Sequence, residues 1–185
     1  IASLVFQAFG VPLSASEAML TTIQEMKFFL RTGFGDSTDF TSSTQSIKTQ
    51  GLCQGNGASP AGWAVVSICI LSAHKKRGHG AHFTCPITKL KSHIAGIIYV
   101  DDTDLLIVGR SRDIHLDEFF SQTQEAVMDW GFIVQATGGY LKSAKCFWYM
   151  MAWHWHKGVP TLCSLRQLPK YELMIPQKDG SRALV

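Results

Sequence analysis

An α+β fold, with helices packed on one face of an antiparallel sheet, is what this sequence predicts. Three observations carry that expectation. Two apolar, β-branched runs, residues 94–100 and 105–108, flank a short acidic segment, the pattern of two buried strands joined in a hairpin. Segments with apolar residues at helical spacing lie before and after that hairpin. The order reads helix, strands, helix, hairpin, helix, strands, which differs from the strict alternation of a parallel sheet.

Each element has a local reason. Ser14 and Glu17 make a capping-box pattern, and Met19, Ile23, Met26 and Leu30 follow at helical spacing, which predicts a helix over residues 14–27. Residues 28–34 extend it or begin a strand, and Gly33 and Gly35 end either one. The Ser, Thr and Asp of residues 36–46 read as a loop between two strands. Ser59-Pro60 is a helix start, with Ser as cap and Pro at the first helical position. Apolar residues crowd 63–71, and His74, Lys75, Lys76 and Arg77 follow, where cations suit the helix dipole before Gly78 stops it. Residues 113–130 return to helical spacing through Leu116, Phe119, Phe120, Thr123, Val127 and Trp130. Residues 132–134 and 146–151 read as further strands, and Asp179-Gly180 as a hairpin turn.

Composition narrows the class. A length of 185 residues makes one domain the default, and 46% apolar against 17% charged residues excludes a disordered chain. No uninterrupted apolar run approaches the ~18 residues of a spanning helix, so no membrane partner is expected. Five dispersed cysteines without a Cys-x-x-Cys argue against a disulfide framework or zinc ribbon, and for an intracellular setting, cytoplasm or nucleus. The sequence opens at Ile1 with no basic leader and reads as an internal segment of a longer protein.

Net charge is only +3, but its distribution is uneven. Between Asp39 and Asp101 there is no acid, while Lys48, Lys75, Lys76, Arg77, Lys89 and Lys91 share that interval with His74, His79, His82 and His93. The interval ends at Asp101, Asp102 and Asp104. Basic surface attracts phosphate backbones, and clustered carboxylates attract divalent metal. Two adjacent Asp in a tight turn repel each other, and a divalent cation relieves that repulsion. Mg2+ (or Mn2+) suits such a site, because it takes carboxylate oxygens together with substrate phosphates. Successive strand residues point to opposite faces, so one of Asp101 and Asp102 is expected as the main ligand and the other as secondary.

Tyr99-Val100-Asp101-Asp102 between two apolar runs resembles the Y-x-D-D box of reverse transcriptases. Residues 52–61, Leu-Cys-Gln-Gly-Asn-Gly-Ala-Ser-Pro-Ala, resemble the upstream Leu-Pro-Gln-Gly-x-x-x-Ser-Pro box of the same family, with Cys53 in place of Pro. The two boxes stand in the family's order with a helix between them. Gly138-Gly139, Leu141 and Lys145-Cys146 resemble a later motif whose lysine sits near the incoming nucleotide's phosphates. The likeness spans about residues 28–148 and is closer to eukaryotic retroelements than to retroviruses.

The resemblance implies a polymerase palm, incomplete at both ends, over residues 1–153 with part of the fingers, and the start of a β-rich connection over residues 154–185. It implies RNA-directed DNA polymerisation by two-metal nucleotidyl transfer, with an RNA or DNA template, a primer and deoxynucleoside triphosphates as partners. Asp101 would be the catalytic metal ligand and Asp102 its support. Gln54 and Gly55, with Ser59 and Pro60, would line the template and nucleotide pocket. Tyr99 and Val100 would lie beside the primer end, and Lys145 would protonate pyrophosphate. The family's first catalytic Asp falls roughly forty residues before the Gln-Gly box, yet no Asp precedes Asp36 here. The segment is therefore expected to be inactive alone.

Rival patterns exist. Asp102-Thr103-Asp104 after an apolar strand matches the D-x-D of metal-dependent glycosyltransferases, which needs a doubly wound sheet upstream. A remnant that binds nucleic acid without catalysis is the non-enzymatic alternative. His79, His82 and Cys85 have zinc-ligand spacing but no evident fourth partner. His154 and His156 alternate as on an edge strand, and Phe147, Trp148, Tyr149, Trp153 and Trp155 could stack bases or alternate into a core.

Overall fold

A computed structural model describes residues 1–44, 57, 59–100, 102–111 and 113–185. Gln54, Gly55 and Asp101, all expected at the site, lie outside the described residues. The described residues form four α-helices and ten strands, and the strands pair as five separate two-stranded antiparallel sheets. The α+β class therefore holds, while the single sheet expected beneath the helices is replaced by independent hairpins. The chain divides into two compact units, residues 1–73 with 96–105, and residues 74–95 with 106–185.

In the first unit, α1 (Ala2–Ala8) and α2 (Leu13–Glu25) bury Phe6 and Ile23. Helix α2 begins at Leu13, with Pro12 as its N-cap, so Ser14 lies inside the first turn and no capping box forms. Strands β1 (Lys27–Thr32) and β2 (Gly35–Ser42) follow as a hairpin. The loop expected over residues 36–46 is thus largely strand. Its polar residues suit a ribbon exposed on both faces, where nothing has to be buried. Cross-strand pairs fix its register: Arg31 grips Asp36 through Nε at 2.6 Å, and Phe29 meets Phe40 at a ring distance of 5.7 Å. Helix α3 (Ser59–Lys76) starts as expected at Ser59-Pro60 in this unit, while its last turn, with His74, Lys75 and Lys76, belongs to the second. Gly78, at φ 87°, turns the chain away after it. Strands β5 (Gly96–Tyr99) and β6 (Asp102–Leu105) complete the unit.

In the second unit, β3 (Ala81–Thr84) pairs with β4 (Lys91–Ile94), and the directly opposed His82 and His93 stack at 3.9 Å. Helix α4 (Leu116–Ala136) buries Thr123, Ala126 and Trp130 along one stripe. It continues through residues 132–134, which the sequence suggested as a strand. A three-residue apolar run has no periodicity of its own, so it keeps the helical register until Gly138 (φ 90°). Residues 146–151 form no strand either and follow a short 3-10 turn, Ser143–Lys145, as irregular chain. Strands β7 (Trp153–His156) and β8 (Val159–Leu162) make an exposed ribbon. Strands β9 (Met174–Pro176) and β10 (Arg182–Leu184) flank the expected Asp179-Gly180 turn, with Gly180 at φ 83°.

Strand β9 is seated on α4. The Gln124 amide donates to the Met174 carbonyl at 2.7 Å and accepts from the Met174 N–H at 2.9 Å, and Leu173 and Ile175 are buried beside it. Gly131 faces the Pro176 ring so closely that any Cβ there would collide with it. Tyr171 adds a second tether, stacking on Phe120 at 4.4 Å and donating its hydroxyl to Asp117 at 2.8 Å.

A histidine core packs on α4 at Asp129 and Trp130. His74 is fully buried, its ring edge-on to Trp130 at 5.4 Å and beside His79 at 4.7 Å. His79 Nε2 meets Asp129 Oδ2 at 2.8 Å, and Arg77 takes the other carboxylate oxygen. His93 Nε2 reaches the His79 carbonyl at 2.8 Å. Neither ring nitrogen of His74 has a partner. Desolvation, reinforced by the nearby His79, pushes its pKa from 6.5 down to about 4, so His74 is held neutral. The unfolded chain takes up a proton as pH falls through 6.5, while the folded chain does so only near 4. Stability is therefore unaffected by His74 above pH 6.5 and is lost between 6.5 and 4, by about 3 kcal/mol at most. Urea unfolding followed by circular dichroism across that range is expected to show this fall, and His74→Phe is expected to remove its share.

Candidate functional site

The acidic hairpin lies in the first unit and is tighter than the sequence suggested. Tyr99 pairs directly with Asp102, so only Val100 and Asp101 connect the strands. Residues 101–104 had been expected as the turn and 105–108 as the second strand. Instead Asp102, Thr103 and Asp104 belong to β6, which ends at Leu105. A two-residue connection matches the twist of paired strands and needs positive φ at its centre, which a longer acidic loop does not supply.

That requirement falls on an unusual residue. Val100 sits at φ 57°, in the left-handed region where a β-branched side chain clashes with its own backbone. Backbone strain of this kind costs of order 1–3 kcal/mol and concentrates at functional sites, where surrounding contacts impose it. Here the imposing contact is visible. The indole Nε1–H of Trp63, one turn into α3 from Ser59, donates to the Val100 carbonyl. This bond ties the helix that opens with Ser59-Pro60 to the turn of the hairpin. At the hairpin's other end, a Cβ on Gly96 would lie 2.7 Å from the Asp104 carbonyl oxygen, so the strands close there only because residue 96 has no side chain.

The register decides which side chains share a face. Tyr99 opposes Asp102, and Ile97 opposes Asp104, so these four stand together on the exposed side. Ile98, Thr103 and Leu105 occupy the half-buried side. Two carboxylates two residues apart on a rigid strand are hard oxygen donors of the type that Mg2+ or Mn2+ takes. The sequence reading gives Asp104 a place only in the acidic cluster and the D-x-D pattern; its i, i+2 relation to Asp102 on β6 puts it on the same face. Among the described residues no group of three or more His, Cys, Asp or Glu is placed to hold a metal, and Asp101 lies outside them.

The remaining sequence candidates fall as follows. Lys145 ends the 3-10 turn in the second unit and is exposed. His79, His82 and Cys85 do not converge: His79 is held by Asp129, His82 stacks on His93, and the Cys85 sulfur accepts from the Thr88 N–H at 3.5 Å. His154 and His156 are exposed on β7 as expected, with Nδ1 of His154 3.6 Å from the Cys163 sulfur. Trp148 is half-buried near Phe120, whereas Phe147, Tyr149, Trp153 and Trp155 are exposed. Among the described residues, no helix is long and apolar enough to cross a membrane.

No protein-family profile, curated protein or solved structure matches the chain.

The strain at Val100 can be measured directly. Val100→Gly is expected to stabilise the protein by about 1 kcal/mol, because Gly adopts φ 57° without a Cβ clash. Trp63→Phe, which removes the donor but keeps the ring, is expected to destabilise it by about 1 kcal/mol. Urea midpoints of the two variants against the parent chain test both signs.

Proposed function

We propose that this chain is part of the palm of an RNA-directed DNA polymerase of the reverse transcriptase type, with the β5–β6 hairpin carrying its metal-binding carboxylates. The observation that carries this reading is the Trp63–Val100 bond, because it joins the helix begun by the Ser59-Pro60 box to the turn of the Tyr-Val-Asp-Asp box. Trp63 follows the first box by two residues and Val100 lies within the second, so the bond supports reading the two boxes as parts of one site.

In this reading Asp101 and Asp102 hold Mg2+ or Mn2+, and Asp104 is an additional carboxylate on the Asp102 face. When bound, the ions neutralise charge on the attacking and leaving oxygens of phosphoryl transfer. Tyr99 flanks the primer end from the same face as Asp102. Gln54 and Gly55 shape the nucleotide pocket ahead of α3, and the positive end of that helix's dipole attracts template phosphate. Lys145 serves as the general acid for pyrophosphate. No Asp precedes Asp36, so these 185 residues supply one carboxylate-bearing strand of the metal site, and turnover needs a second. The D-x-D glycosyltransferase alternative has less support, since every strand pair among the described residues is antiparallel.

The test is extension of a labelled primer on matched RNA and DNA templates, by this segment joined to an upstream Asp-bearing strand and the remaining polymerase subdomains. Asp101→Asn is expected to abolish extension, because an amide does not replace a charged metal ligand. Asp102→Asn is expected to do less, and Lys145→Ala to slow the reaction by ~10²–10⁴-fold, the usual loss for a general acid. Extension by Asp101→Asn at the parent rate would overturn the metal-site reading, and sugar transfer from a nucleotide-sugar would favour the glycosyltransferase.

A further inference from the structure

The second unit presents a separate feature that no part of the hairpin chemistry uses. From residue 147 to residue 155 the odd-numbered side chains, Phe147, Tyr149, Met151, Trp153 and Trp155, are exposed. Across residues 146–152 the even-numbered ones, Cys146, Trp148, Met150 and Ala152, are half-buried. This alternation matches the two-residue period of extended chain and holds through residue 152; in β7 both faces are exposed, and Trp153 and Trp155 continue the odd-numbered series. Phe147 and Tyr149 confirm the spacing locally, with ring centroids 5.6 Å apart. In the β7–β8 ribbon, Trp153 and Trp155 share their face with Leu162 and Pro160.

Four large aromatic rings exposed in a row are costly to leave in water. Their electrostatic setting identifies what covers them. Between Asp129 and Glu172 the sequence has no acid, and it has Lys142, Lys145, Lys157, Arg166 and Lys170. His154 and His156 interleave with the tryptophans themselves. An apolar strip within an acid-free, basic stretch of chain disfavours a cationic partner and favours an anionic one that carries flat apolar faces. Unpaired nucleic acid has both properties: phosphates for the cations, and a π-face on every base for the rings. Duplex bases, stacked about 3.4 Å apart, have no free face. Alternate residues of an extended chain stand about 6.6 Å apart, which suits bases drawn out of their own stack.

We infer that Phe147, Tyr149, Trp153 and Trp155 form a stacking platform for single-stranded nucleic acid, tolerant of sequence and flanked by lysines that hold the backbone. The platform needs neither the carboxylates nor a metal, so it stands independently of the polymerase reading.

The experiment is a fluorescence anisotropy titration of the full chain into labelled oligo(dT) and oligo(U) of about 20 nucleotides, longer than the ~4–16 that one binding module occupies, and into a duplex of equal charge. Single strands are expected to bind more tightly than duplex. Trp155→Ala is expected to weaken single-strand binding by roughly 5- to 100-fold, as loss of one stacked base would. Trp155→Phe, which keeps a π-face, is expected to retain most of the affinity. Trp155 is 71% exposed, so its truncation leaves the fold in place, and circular dichroism checks this. Tyr149→Ala supplies a second variant on the irregular part of the strip. Equal affinity of Trp155→Ala and the parent, or duplex bound as tightly as single strand, would overturn the platform. So would self-association in sedimentation that Trp155→Ala abolishes, since a second copy would then be the occupant. The titration shares no residue with the Asp101→Asn extension assay, so either reading can fail alone.

Discussion

One hydrogen bond, from the Trp63 indole to the Val100 carbonyl, holds the candidate site together. A two-stranded hairpin in water is marginal by itself, and this one has its polar residues, Asp102 and Asp104, on the exposed face, where they bury nothing. Its other face is only half-buried. The two-residue turn itself calls for a positive φ at Val100, and the bond from Trp63 anchors that turn from outside the ribbon. Tyr99, Asp102 and Asp104 take their positions from the turn that the anchor constrains. The helix start at Ser59-Pro60 is tied to the same point.

Much of the architecture was legible because local chemistry and final structure agree. Pro60 at a helix start, Gly78 after basic residues and Asp179-Gly180 between short strands each fix backbone angles that tertiary contacts leave alone. The misreadings share a different cause. Residues 36–42 look like loop by composition, but a ribbon wet on both faces accepts Ser, Thr and Asp, and the pairing with Phe28, Phe29 and Arg31 decides. Residues 132–134 look like strand by β-branching, but they inherit the register of a helix already pinned through Thr123, Ala126 and Trp130. At the site, the hairpin itself was evident from two apolar runs. The position of its turn was not, because that depends on φ at Val100, and valine gives no hint of a left-handed backbone. Shifting the turn moved Asp104 onto the face of Asp102 and changed the set of candidate ligands. Gln54, Gly55 and Asp101 lie outside the described residues and rest on sequence.

The charge pattern separates the two proposed functions along the chain. The carboxylates stand on a rigid, strained hairpin in the first unit, whereas the second unit carries the acid-free, aromatic stretch between Asp129 and Glu172. Metal chemistry demands fixed donor positions, and the hairpin register would set those of Asp102 and Asp104. Stacking on unpaired bases tolerates sequence and depends on exposed rings, which an irregular extended segment can display.

The pairing of Gln124 with Met174 has an effect beyond seating a strand. Strand β9 gives one edge to β10, and Met174 gives both its N–H and its carbonyl on the other side to a single side-chain amide. A glutamine amide carries the same donor and acceptor as a peptide unit, so Gln124 stands where the next strand would dock. The open edge of this small sheet is thereby closed to a strand from another molecule, and the buried pair Leu173 and Ile175 is shielded from the edge-to-edge pairing through which apolar strands aggregate.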